Sequence, residues 1–298
     1  MMLGRVEKSV TRKTQKQMNR WTEIYIRRRW GLYAICALVA LLPATVRAHD
    51  HTLTDNNSSV LISDPEQRGM RNWQVDGVNQ LYQQWFWYRV GSSGPEQSID
   101  AIPITSEIQA NPNTLVTTYA NSLFSVQASY TLLGGPAGSG SSEIVEELRI
   151  HNLTANPLDF HFFQYTDFDV NGTYADDTVQ LFQNLLGLFD MAIQTEGYVH
   201  FADTVVSPGA PHGEAGPWPS ILNKLNDGSP TTLNDNPGPY TGDSTWAFQW
   251  DQVIAAYDDF IVSADKKIFI VPEPATCSLI ALALVGFGLR RRGRRNSA

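Results

Sequence analysis

The chain has 298 residues, of which 42% are hydrophobic and 17% charged, and its formal net charge is −8. Its 32 aromatic residues exclude a disordered chain, and its length fits one or two domains. The charge is unevenly distributed: residues 1–48 carry +8, residues 49–271 carry −20 and residues 272–298 carry +4. Because a body at −20 repels phosphate backbones, nucleic-acid binding is excluded.

The first 48 residues have the pattern of a secretory signal peptide. Arg27, Arg28 and Arg29 precede a short apolar run over 30–42, and Val46 and Ala48 stand at the −3 and −1 positions. We predict cleavage by signal peptidase after Ala48, with Met18 as an alternative start. An uncleaved membrane anchor is the other interpretation, although the run is shorter than the roughly 20 residues of a membrane-spanning helix.

The last 28 residues contain three features in order. Pro272, Glu273 and Pro274 come first, an apolar stretch over 277–289 follows, and an arginine cluster comes last: Arg290, Arg291, Arg292, Arg294 and Arg295. This order resembles the PEP-CTERM sorting tail of exported bacterial proteins. The resemblance implies recognition by an exosortase, a membrane peptidase that cuts near the Pro-Glu-Pro, and an association with exopolysaccharide and biofilm matrix.

The physical chemistry of the tail agrees with that resemblance. Two prolines keep the segment before the membrane extended and accessible, and the apolar stretch predicts a C-terminal transmembrane helix. The arginines hold the end of this helix in the cytoplasm. We expect a protein anchored in the membrane before processing, and then located at the cell surface or outside the cell. A permanent single-span anchor is the alternative.

Short apolar or alternating runs, separated by Gly, Pro and Asn clusters, recur in the body. They predict an all-β ectodomain over 49–270, an antiparallel β-sandwich of jelly-roll-like type. The ten strands expected are Val60–Ile62, Leu81–Val90, Ile104–Ile108, Leu115–Tyr119, Leu123–Leu133, Ile144–His151, Leu158–Val170, Tyr198–Phe201, Trp246–Ile254 and Lys266–Val271. Leucine spacing predicts a helix over Val179–Met191. The Gly/Pro-rich segment 207–245 is expected to be a long loop, either a binding loop or a solvated insertion.

The two cysteines, Cys36 and Cys277, both lie in the terminal segments. If export removes these segments, the mature body has no disulfide and depends on its hydrophobic core.

One acidic segment has the residue types of a calcium loop. Its candidate ligands alternate at the start and recur after a glycine: Asp167, Asp169, Asn171, Asp176 and Asp177. Carboxylate and amide oxygens are the ligands that Ca²⁺ prefers, and Gly172 permits a sharp turn. Thr178 stands where an EF-hand needs glutamate, so an EF-hand is excluded. A solvated acidic turn is the alternative.

Two further patterns are candidate binding features. Trp85 and Trp87 share one face of an aromatic strand and could form a platform for a glycan, the alternative being a buried central strand. Cleavage after Ala48 would expose His49-Asp50-His51, a pattern that can bind Cu²⁺ or Ni²⁺. A frayed polar terminus is the alternative for this pattern.

The body has no recognisable enzyme signature. Nucleophile elbows, zinc-protease motifs, P-loops and dinucleotide fingerprints are missing from the sequence. Glu143, Glu146 and Glu147 could supply the two carboxylates of a glycosidase, but one sequence cannot show their spacing. We therefore expect a non-enzymatic surface or matrix protein. The alternatives are a carbohydrate-binding module, with or without Ca²⁺, and a hydrolase or lyase that acts on polysaccharide.

Overall fold

The computed structural model describes residues 50–197 and 200–270. The expected signal peptide, its cleavage site at Ala48 and the expected sorting tail lie outside these residues. Within them, no helix has the length and apolar character needed to cross a membrane. The described residues form the body alone.

The described body is a sandwich of two β-sheets of nine strands each. The first sheet has the order β1-β2-β3-β5-β11-β17-β15, with β4 paired to β3 and β6 to β5. Its strands are β1 (Asp50–Asp55), β2 (Ser58–Ser63), β3 (Gly69–Val75), β4 (Val78–Asn79), β5 (Leu81–Val90), β6 (Gln97–Ser98), β11 (Leu158–Phe168), β15 (His212–Pro217) and β17 (Ser244–Ile254). All pairs are antiparallel except the short β3–β5 contact.

The second sheet has the order β16-β12-β13-β14-β18-β10-β9-β8-β7. Its strands are β7 (Ile104–Asn111), β8 (Thr114–Ala120), β9 (Phe124–Gly134), β10 (Ser142–Asn152), β12 (Asp177–Gln183), β13 (Phe189–Glu196), β14 (His200–Ala210), β16 (Tyr240–Gly242) and β18 (Asp259–Ile270). The all-β sandwich is confirmed. The jelly-roll-like order is wrong, because each sheet has nine strands, whereas a jelly roll has eight strands in all, joined as two Greek keys.

Strand β10 shows why the sequence folds in this way. Its side chains alternate between buried and more exposed positions along the whole strand, so Ile144, Leu148 and Ile150 face the core. Glu146 lies on the same buried face as these apolar residues. Glu143 and Glu147 lie on the opposite face, so neither can form a carboxylate pair with Glu146.

Glu146 is compensated inside the core by a lysine. The Lys266 Nζ of β18 donates to Glu146 Oε1 over 2.8 Å, and both side chains are fully buried. Burial raises the pKa of Glu146, while the nearby Lys266 charge opposes that rise. The pair lies between adjacent strands, because β10 pairs with β18.

The aromatic strand β5 lies in the centre of the first sheet and is buried on both faces. Trp85 and Trp87 are each 0% exposed, so the prediction that they form a glycan platform is wrong. The Trp87 Nε1 donates to Asn226 Oδ1 over 3.2 Å, which shows that a later segment covers this face. Gly69 has a φ of +53°, and a Cβ there would stand 2.1 Å from the Trp85 ring.

The segment 207–245 is not the long loop that was expected. It contains the end of β14, strands β15 and β16, and a short helix α1 (Ser220–Leu225). Buried Ile221, Leu225 and Leu233 anchor it to the body, and the Thr231 backbone N–H donates to Glu96. The segment therefore forms an ordered cover over part of the first sheet.

The helix expected over Val179–Met191 is a β-hairpin. Strands β12 and β13 pair across a turn, and Asn184 Oδ1 accepts hydrogen bonds from the backbone N–H groups of Leu186 and Leu188. Leu185 and Leu186 project into solvent at the tip. Their leucine spacing imitates a helix, whereas the Asn184 cap and Gly187, at a φ of +77°, specify the turn.

Candidate functional site

A pocket of about 220 Å³ opens at one end of the first sheet. We call it the acidic pocket, and its lining consists of three aromatic and three acidic residues: Tyr82, Tyr174, Trp218, Asp167, Asp169 and Asp243. Tyr82 lies on β5 and Asp167 on β11, and the other four lie in connections next to β11, β15 and β17. The strands β5, β11, β17 and β15 are adjacent in the sheet. Since neighbours are antiparallel, the start of β5 and of β17 meets the end of β11 and of β15.

The floor of the pocket is formed at the end of β11. Asp167 is buried next to a register shift between β11 and β5, and Tyr165 OH donates to Asp167 Oδ2 over 3.3 Å. Asp169 follows in the connection to β12, where its backbone N–H donates to the Gln80 carbonyl oxygen. Asp243 comes from the other side, directly before β17.

The rim of the pocket is aromatic and accessible to solvent. Tyr82 on β5 is 54% exposed, Tyr174 is 64% exposed and Trp218 is 44% exposed. The Trp218 backbone N–H donates to the Asp243 carbonyl oxygen over 2.9 Å, so the two sides of the pocket are joined at this point. Exposed aromatic rings grouped around a cavity are typical of ligand-binding sites.

Burial and mutual repulsion raise the pKa values of the pocket carboxyls. Burial raises the pKa of Asp167 to about 8, and the charges of Asp169, Asp243 and Asp177 add to this rise. Burial, and then Asp243, raises the pKa of Asp169 to about 6, and burial raises the pKa of Asp243. At neutral pH Asp167 is therefore mostly a protonated acid, which can both donate and accept a hydrogen bond.

The structure separates the five expected calcium ligands. Asp167 and Asp169 line the pocket, whereas Asp176 is exposed and Asp177 is fully buried. The Asp177 Oδ2 accepts hydrogen bonds from Gln194 and from the backbone N–H of Val170. Within the described part of the chain, these residues form no group of three carboxylates whose oxygens all lie within 4.8 Å of one another. Calcium binding by this segment stays a prediction.

Sequence reasoning found Asp167 and Asp169 but missed the rest of the pocket. Tyr82 belongs to the same aromatic stretch as Trp85 and Trp87. It is exposed because it lies at the start of β5, at the end of the sheet. Trp218 lies between two prolines in a polar segment. A single aromatic residue in such a segment was the signal that could have pointed to the site. Asp243 is brought to the site only by the pairing of β17 with β11.

Comparison with known proteins first concerns the carboxyl end of the chain. The model of the PEP-CTERM protein-sorting motif matches residues 271–293. The chain carries a PEP-CTERM sorting motif. The match includes Pro272, Glu273, Pro274 and Arg290–Arg292, while Arg294 and Arg295 follow it. The PEP-CTERM motif implies export, exosortase processing and a membrane-anchored carboxyl end before processing.

Other comparisons concern the body. No curated protein sequence matches the chain. A bacterial glucoamylase solved with acarbose superposes with a TM-score of 0.51 at 9% identity, over 80% of this chain and 36% of the glucoamylase. A protein from Escherichia coli K12 named as an aldose 1-epimerase superposes with a TM-score of 0.50 at 9% identity, over 75% of this chain and 100% of that protein. The chain thus spans about a third of the glucoamylase, and both likenesses concern the fold.

Proposed function

We propose that this PEP-CTERM protein is a non-enzymatic protein of the cell surface or extracellular matrix that binds a polysaccharide through the acidic pocket. The observation that carries the proposal is the exposed aromatic rim above partly protonated carboxyls. Tyr82, Tyr174 and Trp218 offer flat apolar faces, and Asp167, Asp169 and Asp243 offer polar atoms. This combination suits the two chemical faces of a sugar ring.

The rim and the floor recognise different parts of a sugar. The C–H faces of a pyranose pack against aromatic rings, and its hydroxyl groups pair with carboxyl oxygens. A protonated Asp167 also donates a hydrogen bond to a sugar oxygen, which a carboxylate cannot do. The volume of about 220 Å³ suits one sugar unit of a chain, with neighbouring units lying across the exposed rim.

The fold and the sorting motif both support this proposal. The two superposed proteins are named for chemistry on sugars, and the sandwich of this chain has the same type of architecture. The motif implies export, and the proposed ligand is a polymer located outside the cell. A net charge of −20 on residues 49–271 favours a neutral polysaccharide over an anionic one.

Truncating the rim is expected to weaken glycan binding. Trp218→Ala should lower the affinity for the bacterium's own exopolysaccharide, or for neutral hexose oligosaccharides, at least about tenfold, because it removes one stacking face. Binding is measured by calorimetry on the purified protein. Tyr257→Ala is the matched control, since Tyr257 is an exposed aromatic residue outside the pocket. Equal affinity for wild type and Trp218→Ala would contradict the proposal.

The same titration tests the calcium alternative. We expect equal binding in EDTA and in Ca²⁺, because protons already neutralise part of the charge of the pocket. If Ca²⁺ raises the affinity of wild type but not that of Asp169→Ala, the result supports the calcium-dependent module instead.

One observation favours a second candidate function, a polysaccharide hydrolase. Asp167 and Asp169 line one pocket with pKa values near 8 and 6, and glycosidases use a protonated acid beside an ionised carboxylate. Release of new reducing ends from the polysaccharide decides between the two functions. If wild type releases them and Asp167→Asn does not, the hydrolase replaces the binding protein.

Processing at both ends is expected in the exported product. Intact-mass spectrometry of the protein recovered from outside the cell should show a start at His49 and no terminal arginine cluster. Replacing Pro272 and Pro274 with alanine should leave the cluster in place and keep the protein in the membrane fraction. A released wild-type protein that retains Arg290–Arg295 would contradict exosortase processing.

A further inference from the structure

A histidine and two carboxylates lie close together between the edge strands of the two sheets. His51 lies on β1, Asp64 follows β2, and Glu107 lies on β7. One ligand atom of each lies within 4.8 Å of the others. The His51 Nε2 stands 3.9 Å from Asp64 Oδ2 and 3.8 Å from Glu107 Oε1.

The hydrogen bonds around His51 orient its ring. The Gln109 Nε2 donates to the Thr52 carbonyl oxygen over 3.1 Å, which directs Gln109 Oε1 towards His51. The His51 Nδ1 lies 3.3 Å from that oxygen, so Nδ1 carries the proton that it donates. In the neutral ring, the lone pair of Nε2 then faces the two carboxylates.

Asp64 is held in place from the other side. Thr117 Oγ1 donates to Asp64 Oδ2 over 2.5 Å, and Tyr119 OH donates to Asp64 Oδ1 over 3.3 Å. Both donors lie on β8, and all three side chains are buried. Outer hydrogen bonds that fix the tautomer of a histidine and the direction of a carboxylate are characteristic of metal sites in proteins.

We propose that His51, Asp64 and Glu107 bind one divalent transition-metal ion, with Zn²⁺ as the best match. One ligand atom of each residue faces the same small volume, and a cation there would offset the repulsion between the two carboxylates. Imidazole nitrogen and carboxylate oxygen are common zinc ligands, and at distances of about 2.0–2.2 Å from the metal they stand about 3.4 Å apart in a tetrahedron. The two separations from His51 Nε2, at 3.9 Å and 3.8 Å, need to shorten by about half an ångström to reach that value, and water would complete the coordination.

The ion would link the edge strands of the two sheets. β1 is the edge strand of the first sheet and β7 is the edge strand of the second. They already meet through the Thr54 backbone N–H, which donates to the carbonyl oxygen of Pro112 in the β7–β8 turn. A metal that binds both edges stabilises the folded state by mass action.

The metal pattern expected at a new amino terminus, His49-Asp50-His51, includes residue 49, which lies outside the described residues. A copper or nickel site of that type needs the His51 imidazole to turn back towards residues 49 and 50. In the structure the ring points towards Asp64 and Glu107 instead.

Metal titration of the full chain, purified in detergent and treated with EDTA, tests the proposal. Calorimetry with ZnCl₂ should show one equivalent bound, and Zn²⁺ should raise the Tm. Glu107→Gln keeps the shape of the side chain and should lower the affinity at least about tenfold. His151→Ala is the matched control, because His151 pairs with Asp259 at 2.9 Å outside the cluster, and it should bind like wild type.

Two results would overturn the proposal. One is the absence of Zn²⁺ binding by wild type, which would identify the cluster as an ion pair of a protonated histidine with two carboxylates. The other is binding that Glu107→Gln leaves unchanged. If circular dichroism shows that Glu107→Gln does not fold, His51→Ala decides in its place, with the same expected loss.

Discussion

Replacing Lys266 with methionine is expected to lower the free energy of unfolding by about 3–5 kcal/mol. The substitution keeps the volume of the side chain but removes the positive charge that donates a hydrogen bond to Glu146 Oε1. Glu146 is fully buried, so it must either remain as an uncompensated charge or take up a proton. Chemical unfolding in urea, followed by Trp fluorescence, measures the change.

Two further variants separate the ion pair from simple packing. Lys267→Met changes the neighbouring lysine, which is exposed, and should alter stability by no more than about 0.5 kcal/mol. The double variant Lys266→Met with Glu146→Leu should regain most of the loss, since a buried ion pair can be replaced by apolar residues at little cost. A double variant as unstable as Lys266→Met alone would show that the loss comes from packing.

Stability is expected to fall as the pH rises from about 4 to about 8. Burial raises the pKa values of Asp167 and Asp177 from 3.8 to about 8. Within this window the folded protein therefore holds protons that the unfolded chain has released, so raising the pH favours unfolding. Because each shift spans several pKa units, the loss is on the order of several kcal/mol. For a body of this size the Tm should fall by on the order of 10 °C between about pH 5 and about pH 8.5.

Asp167→Asn isolates the contribution of one carboxyl. The amide keeps the shape of the protonated acid, so the variant should match wild type at about pH 5 and be more stable at about pH 8.5. Asp176→Asn is the matched control from the same loop, and its exposed side chain should leave the pH profile of the Tm unchanged. Parallel profiles for wild type and Asp167→Asn would show that Asp167 is ionised throughout.

Periodicity predicted the strands well where one face of a strand is buried. The segment Ile144–His151 corresponds to β10 (Ser142–Asn152), whose side chains alternate between buried and more exposed positions. The prediction failed where a local pattern had two solutions. The leucines of 179–191 fit a helix or a hairpin, and the hairpin forms because β14 and β16 offer strand partners on either side.

The candidate site was only partly predictable, for a topological reason. Asp167 and Asp169 were visible as an acidic pair after a strand. Asp243 and Trp218 lie about 50 to 75 residues later, and only the order β5-β11-β17-β15 brings them together. Likewise, the burial of Trp87 depends on Asn226 in a segment whose composition suggested a loop. Short-range patterns carry no information about such pairings.

The position of β18 has a consequence for export. This strand lies between β14 and β10, in the middle of the second sheet, and ends at Ile270, one residue before the matched sorting motif begins. Strands β14 and β10 therefore stay unjoined until β18, the last strand of the body, has been exported. A body cut before β18 would leave β10 and β14 as open edges, which are prone to aggregation.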